Sequence, residues 1–231
     1  MIQNEIQKTV DDVLCSRRSI RAYLPTPVDR EDLECILEVA ARAPSGSNAQ
    51  PWNVYVATGK TLQAVGEEMT HAFLTPEINA EHKAEYQYYP LKWQSPYQER
   101  RRKVGWDLYT LLGLGREDKK GMTMQHARNF KFFDAPVGII FTTNRIMEAG
   151  SWLDFGCFYQ SVMIAARARG LDTCPQAAVN QFHKILRKHL DIPEDEIVLC
   201  GLSLGYEDTT KIENTLVTER EPVSGFAKFF D

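Results

Sequence analysis

The sequence predicts a fold of mixed α-helices and β-strands, and three apolar stretches support this class. Residues 136–143 and 197–206 are continuous apolar runs, which are typical of strands covered on both faces. Residues 151–169 are apolar on most sides, as expected of a buried helix. We therefore expect helices to pack on both sides of a central sheet.

The other elements are predicted from periodicity, capping residues and prolines. Ile6, Val10 and Val13 recur at helical spacing, which predicts an amphipathic helix to about Ser16. Gly170 is expected to end the helix over 151–169. The remaining predictions are a helix from the N-cap Asp29 through Arg42, a strand over 52–57, a helix over 60–71, a turn at Cys174-Pro175-Gln176 and a helix over 182–190.

Residues 73–133 differ from the rest of the chain because they are rich in both aromatic and charged residues. The aromatic residues include Tyr86, Tyr88, Tyr89, Trp93, Tyr97, Trp106 and Tyr109, and residues 96–114 are predicted to be helical. Such a segment suits a lid over a flat apolar ligand, and it equally suits a satellite helix packed on the main core. We treat residues 1–231 as a single domain that carries this insertion.

Composition and charge exclude several functional classes. The net charge of −4 argues against nucleic acid as the main partner, and the basic run 100–103 lies in a helical pattern that predicts a solvated face. The five cysteines are scattered without C-x-x-C spacing, which fits reduced thiols better than disulfides or a zinc site. We find no signal-peptide core and no apolar stretch of about 20 residues, so a cytoplasmic protein without a membrane span is expected.

A cluster of arginines follows the first predicted helix. In an extended conformation, alternate side chains share a face, which would bring Arg17, Ser19 and Arg21 together. Guanidinium groups beside a hydroxyl suit a phosphate, because they offer several hydrogen-bond donors and positive charge. The alternative is an ordinary basic surface turn.

A second candidate lies between the predicted helix ending near Arg42 and the strand that begins at Trp52. Pro44 cannot continue the helix, because it lacks an N–H and its ring clashes with the preceding turn. The loop residues Pro44, Ser45, Gly46, Ser47 and Asn48 then offer exposed amides, two hydroxyls and one carboxamide. Such a loop suits a planar polar ligand, although a simple helix-to-strand turn would have the same composition.

Taken together, these segments resemble the FMN-dependent nitroreductase superfamily. The pieces that carry the resemblance are residues 17–21, 43–52, 165–176 and 201–206. The resemblance implies an α+β sandwich with a mostly antiparallel central sheet flanked by helices. It also implies an intertwined homodimer, in which the buried helix lies at the interface and the C-terminal extension is swapped. Each of two FMN molecules would bind between the subunits.

The resemblance also assigns roles at the phosphate end of FMN. Arg17 and Arg220 would hold the phosphate, with Arg18 and Ser19 beside it along the ribityl chain. Many relatives have a further basic residue two positions before Arg220, where this chain has Thr218. The phosphate would therefore have one basic contact fewer than in those relatives.

At the ring end, the resemblance places Arg21 near N1 and O2 of the isoalloxazine, where negative charge gathers on reduction. The loop from Pro44 to Asn48 would reach the flavin of the opposite subunit. Pro175 and Gln176 would face the ring near its reactive N5 edge, and Gly201 belongs to the same set of cofactor-binding residues.

The implied reaction is ping-pong electron transfer, from NADH or NADPH through FMN to a small aromatic acceptor. A nitroaromatic would pass from nitro through nitroso to hydroxylamine in two-electron steps. The five histidines show no ligand spacing, and the sequence shows no triad or carboxylate pair, so we name no catalytic side chain and no metal. The aromatic insertion resembles that of reductases acting on nitrobenzoates and similar small nitroaromatics.

Three other readings stay open at this point. A reductive dehalogenase or ene reductase could use the same scaffold, and Glu85, Tyr89 and Lys92 match by type the residues that grip an amino-acid zwitterion in the dehalogenases. An FMN-binding protein without turnover would need the same flavin contacts. A protein that binds some other anion through its arginines is the third.

Overall fold

The computed structural model describes residues 2–230. The α-helices are α1 (Ile2–Ser16), α2 (Arg30–Ala40), α3 (Gly59–Leu74), α4 (Pro76–Asn79), α5 (Tyr97–Leu111), α6 (Lys119–Ala127), α7 (Ala149–Arg167), α8 (His183–Leu190) and α9 (Val223–Phe226). The strands are β1 (Asn53–Thr58), β2 (Val137–Asn144), β3 (Asp172–Gln176) and β4 (Glu196–Gly205). Short 3-10 turns cover Gly46–Asn48, Arg128–Asp134, Ala178–Phe182 and Ile212–Thr215.

The strands form one antiparallel sheet in the order β1-β2-β4-β3. The two apolar runs of the sequence are its central strands, β2 and β4, which confirms the α+β class. The segment after α1 extends the sheet beyond β3, because Ser19 forms a parallel bridge with Thr173 and the Ile20 N–H donates to the Thr173 carbonyl at 3.1 Å.

Helices cover both faces of the sheet and divide the core in two. On one face, α2 and α7 pack against β2 through Ile36, Phe158 and Phe141. On the other face, α3 and α8 pack through Met69 and Leu186. Side chains of a strand alternate between its faces, so a continuous apolar run such as β2 supplies both halves of the core.

The predicted turn at Cys174-Pro175-Gln176 is wrong, because these residues belong to β3. Pro175 lies opposite Leu202 of β4. A proline donates no ladder hydrogen bond, and such residues are tolerated in strands that lack a full partner on one side. The helix predicted through Arg42 ends at Ala40, and α6 in the aromatic insertion was not predicted.

Helix α7 is buried on one side only. Phe155, Phe158 and Val162 are buried, whereas Leu153 is 76% exposed. The apolar tail is also uncovered, since Phe229 and Phe230 are 83% and 89% exposed. In the part of the chain that the structure describes, no helix combines the length and apolar character needed to cross a membrane.

Candidate functional site

A cationic cleft lies where α1 ends. The cleft has a volume of about 470 Å³. Its polar lining comes from Arg17, Arg18, Ser19, Arg21, Thr218 and Arg220, so the structure brings the early arginine cluster to the C-terminal segment. The pairing of residues 19–20 with β3 holds the arginine cluster at this edge of the sheet.

Arg17 has an unsatisfied hydrogen-bond donor in this cleft. Its Nη1 is buried and has no hydrogen-bond partner. A buried donor without a partner costs about 1–3 kcal/mol, so an anion that accepts this hydrogen bond would be stabilised there. Arg220 is exposed, and its Nη1 donates to the Thr218 hydroxyl at 2.6 Å and to the Glu219 carbonyl at 2.9 Å. Thr218 thus orients Arg220.

The Arg18 guanidinium already has protein partners. Its Nη2 lies 2.9 Å from the Glu207 carboxylate, and its Nη1 donates to the Asn214 carbonyl. These bonds tie the end of α1 to the segment after β4. The side chain therefore has few donors left for a ligand, although Arg18 lines the cleft.

Arg21 lies between the cleft and β3. Its backbone N–H donates to Asn214 Oδ1 at 2.7 Å, and its guanidinium donates to the Ser19 carbonyl at 3.2 Å. Burial raises the pKa of the neighbouring Cys174 thiol to about 11, while the charges of Arg21 and Arg17 oppose that rise. Cys174 therefore stays a neutral thiol, and Arg21 is close enough for its charge to act on β3.

Further along the same strand lies an aromatic chamber of about 550 Å³. Its walls are Tyr86, Tyr88, Tyr89, Trp152, Phe155 and Tyr159, and Pro175 and Gln176 border it. The Tyr86 ring meets Trp152 edge-on, with centroids 4.6 Å apart, and its hydroxyl donates to the Leu199 carbonyl at 2.5 Å. A flat apolar ring would find stacking partners in this chamber.

A second space, the amide chamber, has a volume of about 830 Å³ and opens on the other side of residues 86–89. It shares those residues and Pro175–Ala177 with the aromatic chamber. Its remaining lining is mostly polar and comes from His82, Lys83, Ala84, Glu85, His126, Asn129, Ala178, Asn180 and Gln181. A ligand at Pro175 and Gln176 would therefore face an aromatic wall on one side and a polar wall on the other.

Pro175 and Gln176, which were predicted to face the flavin ring, differ in the exposure of their side chains. Pro175 is exposed to both chambers. The Gln176 side chain is 2% exposed, because its Nε2 donates to the Asn129 carbonyl at 2.6 Å and its Oε1 accepts from the Ser203 hydroxyl at 2.5 Å. The Gln176 side chain thus braces β3, and Pro175 forms the accessible surface.

Gly201 lies inside the sheet and borders neither chamber nor the cleft. A Cβ at this position would come within 2.8 Å of Val179 Cγ2, so the packing requires glycine. Its carbonyl accepts from the Tyr159 hydroxyl at 2.7 Å. Gly201 thus positions a tyrosine that borders the aromatic chamber.

The loop from Pro44 to Asn48 lies away from these three cavities and is mostly exposed. The Gly46 N–H donates to Asp154 Oδ2 on α7 at 3.1 Å. Ser47 and Asn48 have φ values of 53° and 58°, in the left-handed region that non-glycine residues seldom adopt. Strained backbone of this kind clusters at functional sites, and here it is presented outward from the subunit.

Glu85, a candidate contact for an amino-acid zwitterion, already has ion-pair and hydrogen-bond partners within the protein. Its carboxylate pairs with Arg145 and, at 3.1 Å, with Arg187, and it accepts from the Val198 N–H at 3.0 Å. Burial alone would raise the pKa of Glu85, but these hydrogen bonds and the nearby charges hold it below its ordinary value. The carboxylate is therefore not free to bind an amino-acid ligand.

Three ionisable side chains of the aromatic chamber, those of Tyr86, Tyr159 and Cys200, stay neutral near pH 7. Burial raises the pKa of Tyr86 to about 12 and that of Tyr159 well above its ordinary value. Burial also raises the pKa of the Cys200 thiol to about 12. Residues 2–230 contain no cluster of side chains that could hold a metal ion. The tyrosine and cysteine side chains can shape the chamber, but they are poor proton donors at neutral pH.

Sequence reasoning missed several residues of this region. Trp152 and Tyr159 belong to α7, and the chain pattern marked them only as part of an apolar helix. Asn180 and His82 had no motif around them. These residues are far apart in the sequence and meet only because α7, the turn at 178–182 and the aromatic insertion pack together.

Comparisons with known proteins show the family to which this chain belongs. A sequence model of the nitroreductase family matches residues 14–206. The chain is 38% identical over 219 residues to the 4-nitrobenzoate reductase of Pseudomonas putida, which covers 95% of this chain and 94% of that protein. It is 39% identical over 220 residues to the chloronitrobenzene nitroreductase of Comamonas testosteroni, which covers 95% of this chain and 96% of that protein.

A solved structure resembles this one over almost the whole chain. It is the crystal structure of the FMN and NADPH-dependent nitroreductase NfnB from Sphigopyxis sp. strain HMH. The TM-score is 0.92 at 35% sequence identity, and the match covers 96% of this chain and 99% of that chain.

Proposed function

The chain belongs to the nitroreductase family, and on that premise we propose that it is an FMN-dependent oxidoreductase that uses NADH or NADPH to reduce nitroaromatic compounds. Relatives that are similar over nearly the full chain are a 4-nitrobenzoate reductase and a chloronitrobenzene nitroreductase. The NfnB structure that this fold resembles is that of an FMN and NADPH-dependent enzyme.

The observation that carries the proposal is the alignment of a cationic cleft and an aromatic chamber along β3. Residues 17–21 run beside Thr173, and Pro175 of the same strand borders the chamber. FMN has a phosphate at one end and a flat ring at the other. The buried, unpaired Nη1 of Arg17 fits the phosphate, and the aromatic walls fit a ring system.

The residues have separate tasks in this proposal. Arg17 and Arg220 hold the phosphate with Ser19, and Arg18 keeps the cleft in shape through Glu207. Arg21 supplies positive charge where the ring gains electrons, which favours the reduced state. FMN, when bound, accepts a hydride from the nicotinamide donor and passes two electrons to the acceptor.

The chamber residues orient the acceptor and exclude water from it. Tyr86 and Tyr159 remain protonated and keep their hydroxyls bonded to backbone carbonyls, so they act through shape and stacking. We assign no catalytic side chain, and the protons come from water.

We further propose that the site is completed in a homodimer. The loop from Pro44 to Asn48 is exposed and faces outward, and Leu153 on α7 and the tail residues Phe229 and Phe230 are uncovered. An intertwined dimer with a swapped C-terminal extension would cover these apolar groups, and the loop would reach the partner's FMN. Exposed apolar patches of this kind mark interaction surfaces.

Two further expectations complete the proposal. Residues 1–231 act as a single domain, with residues 73–133 as a lid over the acceptor. The enzyme works in the cytoplasm, which suits five cysteines that are all free thiols.

The test is anaerobic turnover by the purified holoenzyme. Consumption of NADH or NADPH should require an added nitroaromatic such as 4-nitrobenzoate, and chromatography should detect the hydroxylamine. A colourless protein that does not take up FMN would refute the proposal. Stable FMN binding without acceptor-dependent consumption would identify a flavin-binding protein, and coupled loss of iodide from iodotyrosine would identify a dehalogenase.

A further inference from the structure

The amide chamber has one hydrogen-bonding group that the protein leaves unused. Asn180 is 5% exposed, and its Nδ2 is buried without a hydrogen-bond partner. The other four side-chain amides that line the chamber donate within the protein. Gln87 Nε2 donates to the Tyr89 carbonyl, and Gln176 Nε2 donates to the Asn129 carbonyl. Gln181 Nε2 donates to Asn79 Oδ1 at 2.7 Å, and Asn129 Nδ2 donates to the His126 carbonyl at 3.0 Å. The Asn180 donor therefore differs from its neighbours.

An unsatisfied donor in this position favours a ligand with an acceptor atom. Asn180 follows Pro175 and Gln176 closely in the chain, and all three border the same chamber. The Asn180 amide also lies near the Tyr86 phenol and opposes the rise in its pKa, although no hydrogen bond of normal geometry joins the two side chains. Tyr86 borders both the amide chamber and the aromatic chamber. An acceptor ring stacked on the flavin at Pro175, beside Tyr86, could therefore direct a substituent toward the Asn180 amide.

The charge around the chamber selects the type of substituent. The carboxylate of Glu85 is neutralised by Arg145 and Arg187, so it does not repel an oxygen atom. His82 Nδ1 is a second buried nitrogen without a partner, and burial lowers the pKa of His82. Lys83, which is exposed, also lines the chamber, so the chamber offers neutral hydrogen-bonding groups, one cation and no free negative charge.

We propose that the amide chamber is the subsite for a carbonyl oxygen on the ring of the acceptor, and that Asn180 determines this specificity; the inference rests on the proposed nitroreductase function. The acceptors it favours are nitroaromatics that carry a carboxylate or a carboxamide. Asn180 donates a hydrogen bond to that oxygen, while the acceptor ring stacks on the flavin beside Tyr86.

The test compares three acceptors of similar size on the holoenzyme: 4-nitrobenzoate, 4-nitrobenzamide and 4-nitrotoluene. Substituents also change how easily a nitro group is reduced, so each compound is compared between variant and wild type. Asn180→Leu keeps the size of the side chain and removes the donor. We expect kcat/KM to fall about tenfold or more for the two carbonyl compounds and by less than about twofold for 4-nitrotoluene.

Two more variants make the test specific. Asn180→Asp replaces the donor with a carboxylate, so 4-nitrobenzoate should lose more than 4-nitrobenzamide. Gln181→Leu is the matched control, because that amide is already bonded to Asn79. In Gln181→Leu, the kcat/KM for 4-nitrobenzamide divided by that for 4-nitrotoluene should be the same as in the wild type.

A binding measurement separates recognition from turnover. The dissociation constant of benzamide, which cannot be reduced at a nitro group, is measured on the oxidised enzyme from the change in flavin absorbance. It should rise about tenfold in Asn180→Leu. Equal losses for all three acceptors would mean that Asn180 only supports Tyr86, and unchanged values would mean that the amide contacts no ligand. Either result overturns the subsite while 4-nitrotoluene reduction still supports the proposed function.

Discussion

The Arg187 guanidinium lies 3.1 Å from the Glu85 carboxylate, and both side chains are more than nine-tenths buried. Glu85 also accepts from the Val198 N–H, and the next residue, Tyr86, bonds the Leu199 carbonyl. Strand β3 pairs with β4 only as far as Gly201, so these two residues of the aromatic insertion satisfy the β4 backbone beyond the end of β3. The ion pair thereby holds the segment at Tyr86, which borders both chambers, against β4.

Replacement of Glu85 should therefore destabilise the protein strongly. Glu85→Gln leaves Arg187 buried without a counter-charge, and such changes cost about 3–5 kcal/mol. Urea unfolding of the variant and the wild type measures this difference. Glu81→Gln removes an exposed carboxylate from the same segment and is expected to change stability by less than about 0.5 kcal/mol. Equal stability of the two variants would contradict the anchoring role.

Protonation of Glu85 should account for part of the loss of unfolding free energy at acid pH. Because the pKa of folded Glu85 lies below its ordinary value of 4.5, the folded state binds fewer protons there than the unfolded state. Its contribution is complete above the ordinary value and is lost as the pH falls below it. Below pH 4.5, the ordinary pKa of a glutamate, the unfolding free energy should therefore fall less steeply in Glu85→Gln than in the wild type. Urea unfolding at several pH values measures both slopes. An unchanged slope would refute the assignment.

Two arginine variants should separate the ends of the FMN site. Arg17→Gln should weaken FMN binding about 10- to 100-fold, since charge-assisted hydrogen bonds contribute roughly 1.5–3 kcal/mol each. It should leave riboflavin binding unchanged, because riboflavin lacks the phosphate. Arg21→Ala should weaken both ligands alike and slow flavin reduction, because Arg21 is expected at the ring.

Fluorescence titration of the apoprotein with FMN and riboflavin measures these affinities. Arg102→Gln is the control, because Arg102 is exposed on α5 and lines none of the cavities around the site. Equal weakening of FMN and riboflavin binding in Arg17→Gln would mean that Arg17 contacts the ring instead of the phosphate.

A mixed dimer tests whether the loop from Pro44 to Asn48 acts across the interface. One subunit carries alanines at Ser45, Ser47 and Asn48, and two affinity tags isolate the mixed species. If each loop completes the partner's site, the mixed dimer should bind one FMN and the doubly altered dimer none. FMN content per dimer, measured after denaturation, gives the answer. Two bound FMN molecules in the mixed dimer would exclude a role for the loop.

Several features of this protein can be read from local sequence. The apolar runs of β2 and β4 reflect burial on both faces, which leaves a pattern in consecutive residues, whereas α7 is apolar on most sides although only one side is buried. Arg17, Ser19, Arg21 and Arg220 were singled out by sequence, and they line one cleft. The motif and the extended backbone were enough to suggest an anion site.

Other features follow from contacts between distant segments. Cys174-Pro175-Gln176 has the local composition of a turn, yet its pairing with β4 makes it a strand. Glu85 looked like a ligand contact, and only the approach of Arg145 and Arg187 shows that it is an internal anchor. The unused amide of Asn180 likewise has no sequence signature, because whether a donor is satisfied depends on what packs beside it.

The sequence by itself determined the class of fold, the family and the cationic residues, because each depends on the types and spacing of neighbouring residues. The tertiary structure decided which of those residues are free to act. Arg18 is tied to Glu207, whereas a nitrogen of Arg17 is left unpaired in the same cleft. The physical reason is that hydrogen-bond satisfaction and burial are properties of the packed environment, to which residues distant in sequence contribute.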